Sequence, residues 1–402
     1  MEISEYNKIV EISERRIREV SCDIIRPFMN KIEWNNRLIA ITGSRGAGKT
    51  TLMLQHIKST SFQEDEVLYV SLDNLWFEAN SLLDLVDYFY KNGGRYIFID
   101  EVHHLKKWQT IIKNIYDDYT KLHIVYSGSS LLKIDYEGAD LSRRQIKYFM
   151  PGLSFREYLI FENAYIMEPI SLPDLLEKHT AIAKMVVDKI SVLKYFNTYL
   201  EKGYYPFYKD IYSGYDVRLT QIINQILDVD YPSIENVNYS TIQKIKKMLY
   251  ILSQSCPQTP NMSVLYSQLD TDRNQGLKML YALDKANLLS LLSSQKASLK
   301  NMARPDKIYC DNTNIMYALS QNIDEGTKRE TFFLNQLKSA ENNVLYPCKG
   351  DFMVNDMYLF EVGGPNKTFN QIKDIPNSFL AIDGIEIGRK NRVPLWMFGL
   401  LY

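Results

Sequence analysis

One glycine-rich stretch limits what this 402-residue chain can fold into more than any other feature. Residues 41–50 read Ile-Thr-Gly-Ser-Arg-Gly-Ala-Gly-Lys-Thr, which matches G-x-x-x-x-G-K-[S/T] between an apolar run and a run that favours a helix. The pattern predicts a loop between a strand and a helix, in which backbone N–H groups surround a phosphate chain. We expect the Lys49 ammonium to contact the β- and γ-phosphates of ATP and the Thr50 hydroxyl to bind Mg²⁺. The predicted nucleotide-binding positions are Gly43, Ser44, Arg45, Gly46, Ala47, Gly48, Lys49, Thr50 and Thr51.

A second run, rich in β-forming residues, ends in two carboxylates. Arg95-Tyr-Ile-Phe-Ile is followed directly by Asp100 and Glu101. Asp100 at the end of a strand would help to hold Mg²⁺, and Glu101 would be the catalytic base that polarises the attacking water. The alternative is an ordinary strand that ends in aspartate at a turn. The neighbouring glutamate favours hydrolysis of a bound nucleotide over its storage.

Short apolar strands alternate with helices between Pro27 and about residue 155, which predicts an α/β fold with an open parallel sheet. We expect the strands at residues 38–42, 66–72, 95–100, 122–127 and 146–150. The acidic strand is then third in sequence, as in P-loop ATPases that use a catalytic glutamate. In such sheets the fourth strand lies between the strand of the phosphate loop and the acidic strand.

Hydroxyl and guanidinium groups after the fourth strand are further candidates for the site. Ser127 and Ser129 end that strand, and either hydroxyl would face the γ-phosphate and sense its loss; a plain Ser/Gly turn is the alternative. Arg143 and Arg144 follow, and the Arg144 guanidinium would balance charge on the γ-phosphate, in cis or across a subunit interface. Two solvated arginines are the alternative there.

Composition points to a cytoplasmic protein without a membrane helix. The charged N-terminus lacks a signal-peptide core, and no apolar run approaches the roughly 20 residues that span a bilayer. The four cysteines are scattered, which argues against a zinc site or a disulfide scaffold. The net charge is −1, yet residues 241–310 carry ten lysines and arginines against four aspartates. The basic surplus therefore lies in one segment.

Together these motifs resemble those of the prokaryotic AAA+-type P-loop ATPases with a largely uncharacterised C-terminal region. The resemblance is carried by residues 43–50, Ile99-Asp-Glu-Val-His-His-Leu105, Ser127-Gly-Ser-Ser130, Leu141-Ser-Arg-Arg144 and Leu153-Ser-Phe-Arg-Glu-Tyr-Leu159. It implies a RecA/AAA+-like parallel sheet, then a helical lid, a winged helix and a small α/β domain similar to PD-(D/E)XK nucleases. The implied boundaries are 1–158 for the ATPase core with its N-terminal helix, 159–235 for the lid, 236–324 for the winged helix and 325–402 for the nuclease-like domain.

The basic segment supports the winged-helix assignment and suggests duplex DNA as a partner. Apolar residues at helical spacing predict three helices, and a hairpin follows them. Lys278 and Lys285 lie seven residues apart on one face of the third helix, and Lys296 and Lys300 would lie in the wing. Such a surface can hold phosphates with the helix in the major groove. The alternative is a connector between proteins, since winged helices in ATPases often serve only that purpose.

The C-terminal residues are expected to form a helix at about 328–341, a hairpin, a further helix and a final strand. If the hairpin turns at Asp356, Asp351 and Glu361 pair across the strands and form a possible second metal site, with Glu330 as a third carboxylate. This layout resembles the PD-(D/E)XK core, which places a lysine two residues after the glutamate. Here that position is Gly363, which favours a degenerate domain unless Lys367 or Lys373 replaces the lysine.

The sequence therefore predicts an ATPase that binds ATP with Mg²⁺ and hydrolyses it slowly as a conformational switch. Its C-terminal modules would engage DNA or a protein partner. Two other functions stay open: an ATP-gated DNA nuclease, and a nucleotide-stabilised scaffold with negligible turnover.

Overall fold

The computed structural model describes residues 2–129, 141–211, 213–235, 237–255, 261–294, 305–320 and 322–402. The chain divides into two compact units, Met1–Pro151 with Asp228–Asn236 and Gly152–Leu227 with Val237–Tyr402. The four-part division expected from the sequence stays a prediction.

Five parallel strands form the sheet of the first unit. They are β1 (Leu38–Gly43), β2 (Val67–Ser71), β3 (Tyr96–Asp100), β4 (His123–Ser129) and β5 (Ile146–Phe149). Their spatial order is β2-β3-β4-β1-β5, and every neighbouring pair is parallel. The predicted parallel α/β sheet is confirmed, as is the position of β4 between β1 and β3.

Helices cover both faces of this sheet, which explains why its strands are almost continuously apolar. They are Ile3–Glu19, Lys49–Ser59, Trp76–Ala79, Leu82–Lys91 and Trp108–Asp118. Leu38 and Ala40 of β1 belong to one core with the helices at 82–91 and 108–118. Ile39 and Ile41 belong to a second core with the helix at 49–59. Because all strands are parallel, the phosphate loop after β1, the carboxylates after β3 and the serines of β4 meet at one edge.

A segment distant in sequence completes the first unit. It comprises the end of a π-helical turn, Ile226–Asp230, and a short helix, Tyr231–Ile234. Asp230 lies at the junction of the two and is completely buried. Such π-turns often occur at functional sites.

The second unit begins with helices at Phe155–Phe161, Leu172–Val187, Val192–Lys202 and Tyr215–Gln225. Ser154 starts the first of them with a capping box, in which its side chain accepts from the Glu157 N–H and the Glu157 carboxylate accepts from the Ser154 N–H. Further along, the helices Tyr239–Ser255, Met262–Gln268 and Arg273–Lys285 precede a hairpin of β6 (Leu289–Leu292) and β7 (Lys307–Cys310). This is the element content of a winged helix, but the assignment as such a module stays a prediction.

A mixed sheet ends the second unit. After helices at Thr313–Leu319 and Glu325–Ser339 come β8 (Val344–Leu345), β9 (Phe352–Val354), β10 (Tyr358–Gly363), β11 (Ser378–Ile382) and β12 (Arg392–Pro394). Their order is β12-β11-β10-β9-β8, with β8, β9 and β10 antiparallel and β10, β11 and β12 parallel.

Two expectations for the C-terminal residues were wrong. No helix lies between β10 and β11, although every residue from 364 to 377 is described. Gly363, Gly364 and Pro365 begin that connection, and these residue types resist helix formation. The chain also ends in a 3₁₀ helix, Leu395–Leu400, rather than in a strand.

No helix in the described part of the chain is both long enough and apolar enough to cross a membrane. Cys22, Cys310 and Cys348 are free thiols.

Candidate active site

The phosphate loop has the geometry that its sequence predicts. Gly43, Gly46 and Gly48 adopt positive φ values of 151°, 84° and 95°, which side chains disfavour, and the helix starts at Lys49. The Lys49 ammonium donates to the carbonyls of Gly43 and Ser44 at 2.9 and 3.0 Å. Burial lowers the pKa of this lysine, and the Glu101 and Asp100 carboxylates oppose that shift. The ammonium is therefore held at the loop, next to two acidic groups.

Two contacts hold the loop against the rest of the first unit. A Cβ atom added to Gly43 would lie 2.1 Å from the carbonyl oxygen of Met150, so only glycine fits there. Arg26 is buried and donates hydrogen bonds of 2.9 Å to the carbonyls of Ala47 and Pro151. The loop is thus pressed against the chain that follows β5 and is tied to it by a guanidinium.

Oxygen atoms suited to Mg²⁺ converge beside the loop. The Thr50 hydroxyl donates to Asp100 Oδ2 at 2.6 Å, and the Tyr69 hydroxyl donates to the same oxygen at 2.8 Å. Burial and the Asp100 carboxylate raise the pKa of Tyr69, so this phenol stays a neutral donor. Hydroxyl and carboxylate oxygens are the ligands that Mg²⁺ prefers, and the predicted pair of Thr50 and Asp100 fits the ion.

Glu101 is held in an unusual backbone conformation. Its φ and ψ of 53° and 48° lie in the left-handed region, which costs a residue with a Cβ atom about 1–2 kcal/mol. Its N–H donates to Ser127 Oγ at 3.2 Å, while the Ser127 hydroxyl donates to Asp100. Ser127 therefore links the two acidic residues, and its role as a sensor of the γ-phosphate stays a prediction. Backbone strain of this kind is concentrated at functional sites.

Two groups that the sequence did not single out lie close to Glu101 and the loop. The buried His103 ring places Nδ1 3.3 Å from Glu101 Oε2 and Nε2 3.9 Å from Asp230 Oδ1. Asp230 also accepts from Arg45 of the phosphate loop, at 2.8 and 2.9 Å to its two oxygens. Burial alone would raise the pKa of Asp230, but His103 and Arg45 hold it below its usual range.

The remaining predicted positions lie in different surroundings. The Ser44 side chain is buried and its hydroxyl has no hydrogen-bond partner in the described residues, whereas Thr51 is exposed. Ser129 is buried at the end of β4, opposite Gly43.

The structure does not support a cis role for Arg144. Its guanidinium binds both oxygens of Asp117, at 2.9 and 3.1 Å. Arg144 precedes β5, so it lies at the edge where the parallel strands begin, opposite the phosphate loop. Reach across a subunit interface stays a prediction.

The predicted carboxylate pair of the second unit forms in the expected register. Val354 pairs with Tyr358, which centres the turn on Asp356 and sets Asp351 opposite Glu361. Asp351 Oδ2 accepts from the Val362 N–H at 2.9 Å, and Glu361 is 1% exposed. Neither Glu361 oxygen has a hydrogen-bond partner among the described residues, and burial raises the pKa of this carboxyl.

A lysine lies beside Glu361 despite the glycine at position 363. The side chain of Lys367 crosses Gly363, where its carbons lie 2.8–2.9 Å from the position that a Cβ atom would take. Its ammonium lies 3.7 Å from Glu361 Oε2, within ion-pair range. Of the two replacements that the sequence offered, the structure brings Lys367 to the carboxylates; Lys373 is exposed.

The expected third carboxylate is engaged elsewhere. Glu330 accepts from the Tyr309 hydroxyl at 2.7 Å and pairs with Lys307 at 3.3 Å. In the part of the chain that the structure describes, no three His, Cys, Asp or Glu side chains are placed to hold one metal ion. The candidate metal pair is therefore Asp351 and Glu361 without Glu330.

Two of the four predicted DNA-contacting lysines are described. Lys278 and Lys285 are exposed on the helix Arg273–Lys285. Lys296 and Lys300 lie outside the described residues.

Comparisons with known proteins agree with the geometry of the first unit. Residues 35–159 match the model of a family described as AAA domain. Two proteins of Methanocaldococcus jannaschii, both named as uncharacterized, are similar: MJ1637 is 26% identical over 97% of this chain and 88% of its own length, and MJ1544 is 24% identical over 84% and 74%.

Two solved structures also match in part. One is PCH-2 of C. elegans, at 17% identity and a TM-score of 0.24 over 44% of this chain and about half of its own (48%). The other is a structure on katanin self-assembly, at 16% identity and a TM-score of 0.26 over 48% and 72%. The match to the AAA domain family, over a sheet that carries a phosphate loop and an acidic strand, supports a P-loop ATPase domain of the AAA type that binds nucleotide.

Proposed function

We propose that this chain binds ATP with Mg²⁺ at the loop 43–51 and hydrolyses it. One observation carries the proposal: Thr50, Asp100, Ser127 and the Glu101 N–H form a continuous hydrogen-bonded set beside Lys49. This set joins the groups that hold the phosphates to the group that would activate water.

Each residue has a distinct task in the proposed reaction. Lys49 and the loop N–H groups bind the β- and γ-phosphates, and Thr50 with Asp100 would hold Mg²⁺, which offsets the charge of the phosphates. Glu101 orients a water, whose oxygen forms a bond to the γ-phosphorus while its proton passes to Glu101. The bond between this phosphorus and the bridging oxygen breaks, and ADP leaves with the electron pair. Ser127 reports the loss of the γ-phosphate to Asp100 and Glu101.

The output of this cycle would be a conformational switch in a cytoplasmic protein. The exposed Lys278 and Lys285 favour duplex DNA as a partner, with a protein partner as the alternative. Arg144 would complete the site from a neighbouring subunit.

Phosphate release by the full chain tests this function. We expect wild type to release phosphate from ATP and Glu101→Gln to retain ATP binding with a kcat lowered by about 10²–10⁴-fold. Stimulation by duplex DNA would support the DNA partner. Equal release by both proteins would contradict the proposal, and tight ATP binding without release would favour the nucleotide-stabilised scaffold.

A second candidate function is cleavage of DNA by the C-terminal carboxylates, and the position of Lys367 favours it. Among the described residues, neither buried oxygen of Glu361 has a hydrogen-bond partner, so Asp351 and Glu361 fit a divalent cation that would stabilise negative charge. Lys367 would stabilise the charged transition state from the place that Gly363 leaves open. In this reaction a water oxygen bonds to a backbone phosphorus and gives up one proton to solvent. The P–O ester bond breaks, and the leaving oxygen keeps the electron pair and takes a proton from solvent.

Cleavage of supercoiled DNA in the presence of Mg²⁺ tests the second function. We expect Glu361→Ala to abolish cleavage by protein free of contaminating nuclease. If Glu361→Ala still cleaves DNA, the cleavage does not come from these carboxylates. If wild type does not cleave at all, the domain serves a structural or DNA-holding purpose.

A further inference from the structure

Asp230 occupies a position that local sequence cannot explain. It comes 185 residues after Arg45, yet both carboxylate oxygens accept from the Arg45 guanidinium, at 2.8 and 2.9 Å. Its side chain is fully buried, whereas Asp228 two residues earlier is exposed. A buried carboxylate costs several kcal/mol unless charged partners compensate. Arg45 supplies one partner, but it is itself part of the phosphate loop.

The second neighbour of Asp230 is the His103 ring, which connects it to Glu101. The ring is completely buried and has one nitrogen facing each carboxylate, at 3.3 Å for Glu101 and 3.9 Å for Asp230. Neither nitrogen makes a hydrogen bond among the described residues, so both carboxylates act on the ring through their charge. His103 therefore lies between the expected catalytic base and a charge fixed to the loop.

Glu101 needs such support because its local conformation is strained. Its backbone lies in the left-handed region, and its side chain is 19% exposed, so the carboxylate is not fixed by burial alone. A catalytic carboxylate must be held within a fraction of an ångström of its productive position. The His103 Nδ1 atom lies 3.3 Å from Glu101 Oε2 and is placed to hold this carboxylate.

We propose that His103 and Asp230 are positioning residues that hold the Glu101 carboxylate for water activation, with Arg45 fixing Asp230 to the phosphate loop. The inference rests on the proposed ATP hydrolysis. It adds that the catalytic base is held by a segment that joins the first unit from far along the chain.

Two substitutions of His103 separate its two contacts. The side-chain nitrogen of asparagine is as many bonds from Cβ as Nδ1, and that of glutamine is as many bonds from Cβ as Nε2. His103→Asn therefore keeps a donor towards Glu101, and His103→Gln keeps one towards Asp230. Asp230→Asn removes the charge with little change in shape. Asp228→Asn is the matched control, since Asp228 is an exposed neighbour of Asp230 on the same segment.

We expect His103→Gln and Asp230→Asn to lower kcat on the order of tenfold while KM for ATP stays within about threefold. His103→Asn should retain more activity than His103→Gln, and Asp228→Asn should match wild type. Values of kcat within about twofold of wild type for both variants would overturn the proposal. So would equal losses in the Asn and Gln variants that parallel a loss of thermal stability, because they would show a structural role.

A second readout does not depend on turnover. With ¹⁵N-labelled histidine, Glu101→Gln and Asp230→Asn should each shift the ring nitrogen signals of His103, which His103→Asn identifies by their absence. Asp228→Asn should shift neither. Unchanged His103 signals in the first two variants would overturn the positioning role even if wild type releases no phosphate. Absence of phosphate release with shifted signals would instead contradict the proposed hydrolysis.

Discussion

The two candidate sites of this chain differ in how their residues come together. At the phosphate loop, Lys49 and Thr50 are consecutive in a motif, and Asp100 and Ser127 lie at the ends of adjacent strands. In the C-terminal sheet, the charged partner of Glu361 is Lys367, which lies outside the strand that carries Glu361. At the first site Thr50, Asp100 and Ser127 are joined by hydrogen bonds, whereas the Glu361 oxygens have none among the described residues.

A glycine makes room at each site, but for different neighbours. Gly43 faces the backbone carbonyl of Met150, which cannot move without shifting the chain after β5. Gly363 faces the flexible side chain of Lys367. The loop glycine therefore supports the fold, and the strand glycine supports only the position of one side chain. The loop glycine can be predicted from sequence because its motif has fixed spacing. The position of Lys367 cannot be, because this lysine lies outside the spacing of the nuclease motif.

Removal of the loop lysine should give the largest effect. Lys49→Ala deletes the ammonium that would contact the phosphates. We expect this to cost about 3–4 kcal/mol of binding free energy, and hence to lower the affinity for ATP by on the order of several hundredfold. Isothermal titration with ATP and Mg²⁺ measures this change. Lys58→Ala is the matched control, because Lys58 is on the same helix but donates to the carbonyls of Arg18 and Val20. If Lys49→Ala binds ATP with wild-type affinity, the loop is not the nucleotide-binding site.

The sequence was sufficient to predict the first sheet because its signals are local. Strand positions followed from apolar runs, and the loop from glycine spacing, so β1 to β5 were predicted within two residues at each end. The register of Asp351 and Glu361, which was predicted on the condition of a turn at Asp356, also forms. Asn355 and Asp356 adopt the positive φ of a tight turn there.

The residues that the sequence could not predict act over long separations. Asp230 has no motif around it, and its place in the site is recognised from its contact with Arg45. Arg26 is recognisable only once its two carbonyl partners are known. His103 follows Glu101 closely, but whether its ring lies in the interior or in solvent depends on the 3₁₀ turn Val102–His104. The helix wrongly expected after β10 is an error of the opposite kind, because the local residues Gly364 and Pro365 argue against a helix there.

Removal of the lysine beside Glu361 should distinguish a cleaving domain from a degenerate one. If the domain cleaves DNA, Lys367→Ala should lower the rate by on the order of 100-fold, because it removes a group that stabilises transition-state charge. Lys373→Ala should have no effect, since that side chain is exposed. Nicking of supercoiled DNA measures both. Equal rates in the two variants would mean that Lys367 only neutralises Glu361.

Alanine at the two glycines tests the difference between the sites directly. Gly43→Ala should destabilise the chain by about 2–3 kcal/mol, because its Cβ meets backbone. Gly363→Ala should cost about 1 kcal/mol or less, because Lys367 can move, although any cleavage should fall with the displaced ammonium. Denaturant unfolding measures both free energies. Gly93→Ala controls for backbone strain alone, since Gly93 has a positive φ of 106° and nothing within 4 Å of its Cβ position.

Charge reversal on the helix Arg273–Lys285 should have the smallest effect, and it tests whether DNA reaches the second unit at all. Lys278→Glu with Lys285→Glu should weaken duplex binding on the order of tenfold at about 100 mM salt and reduce the slope of log affinity against log salt by about 2. The exposed pair Lys189→Glu with Lys194→Glu adds the same charge elsewhere in that unit. If both pairs weaken binding equally, only net charge matters and the helix is a connector. If only the Lys278 and Lys285 pair weakens binding, the second unit binds DNA through this helix. DNA would then be a substrate available to the C-terminal carboxylates, distinct from the ATP of the first unit.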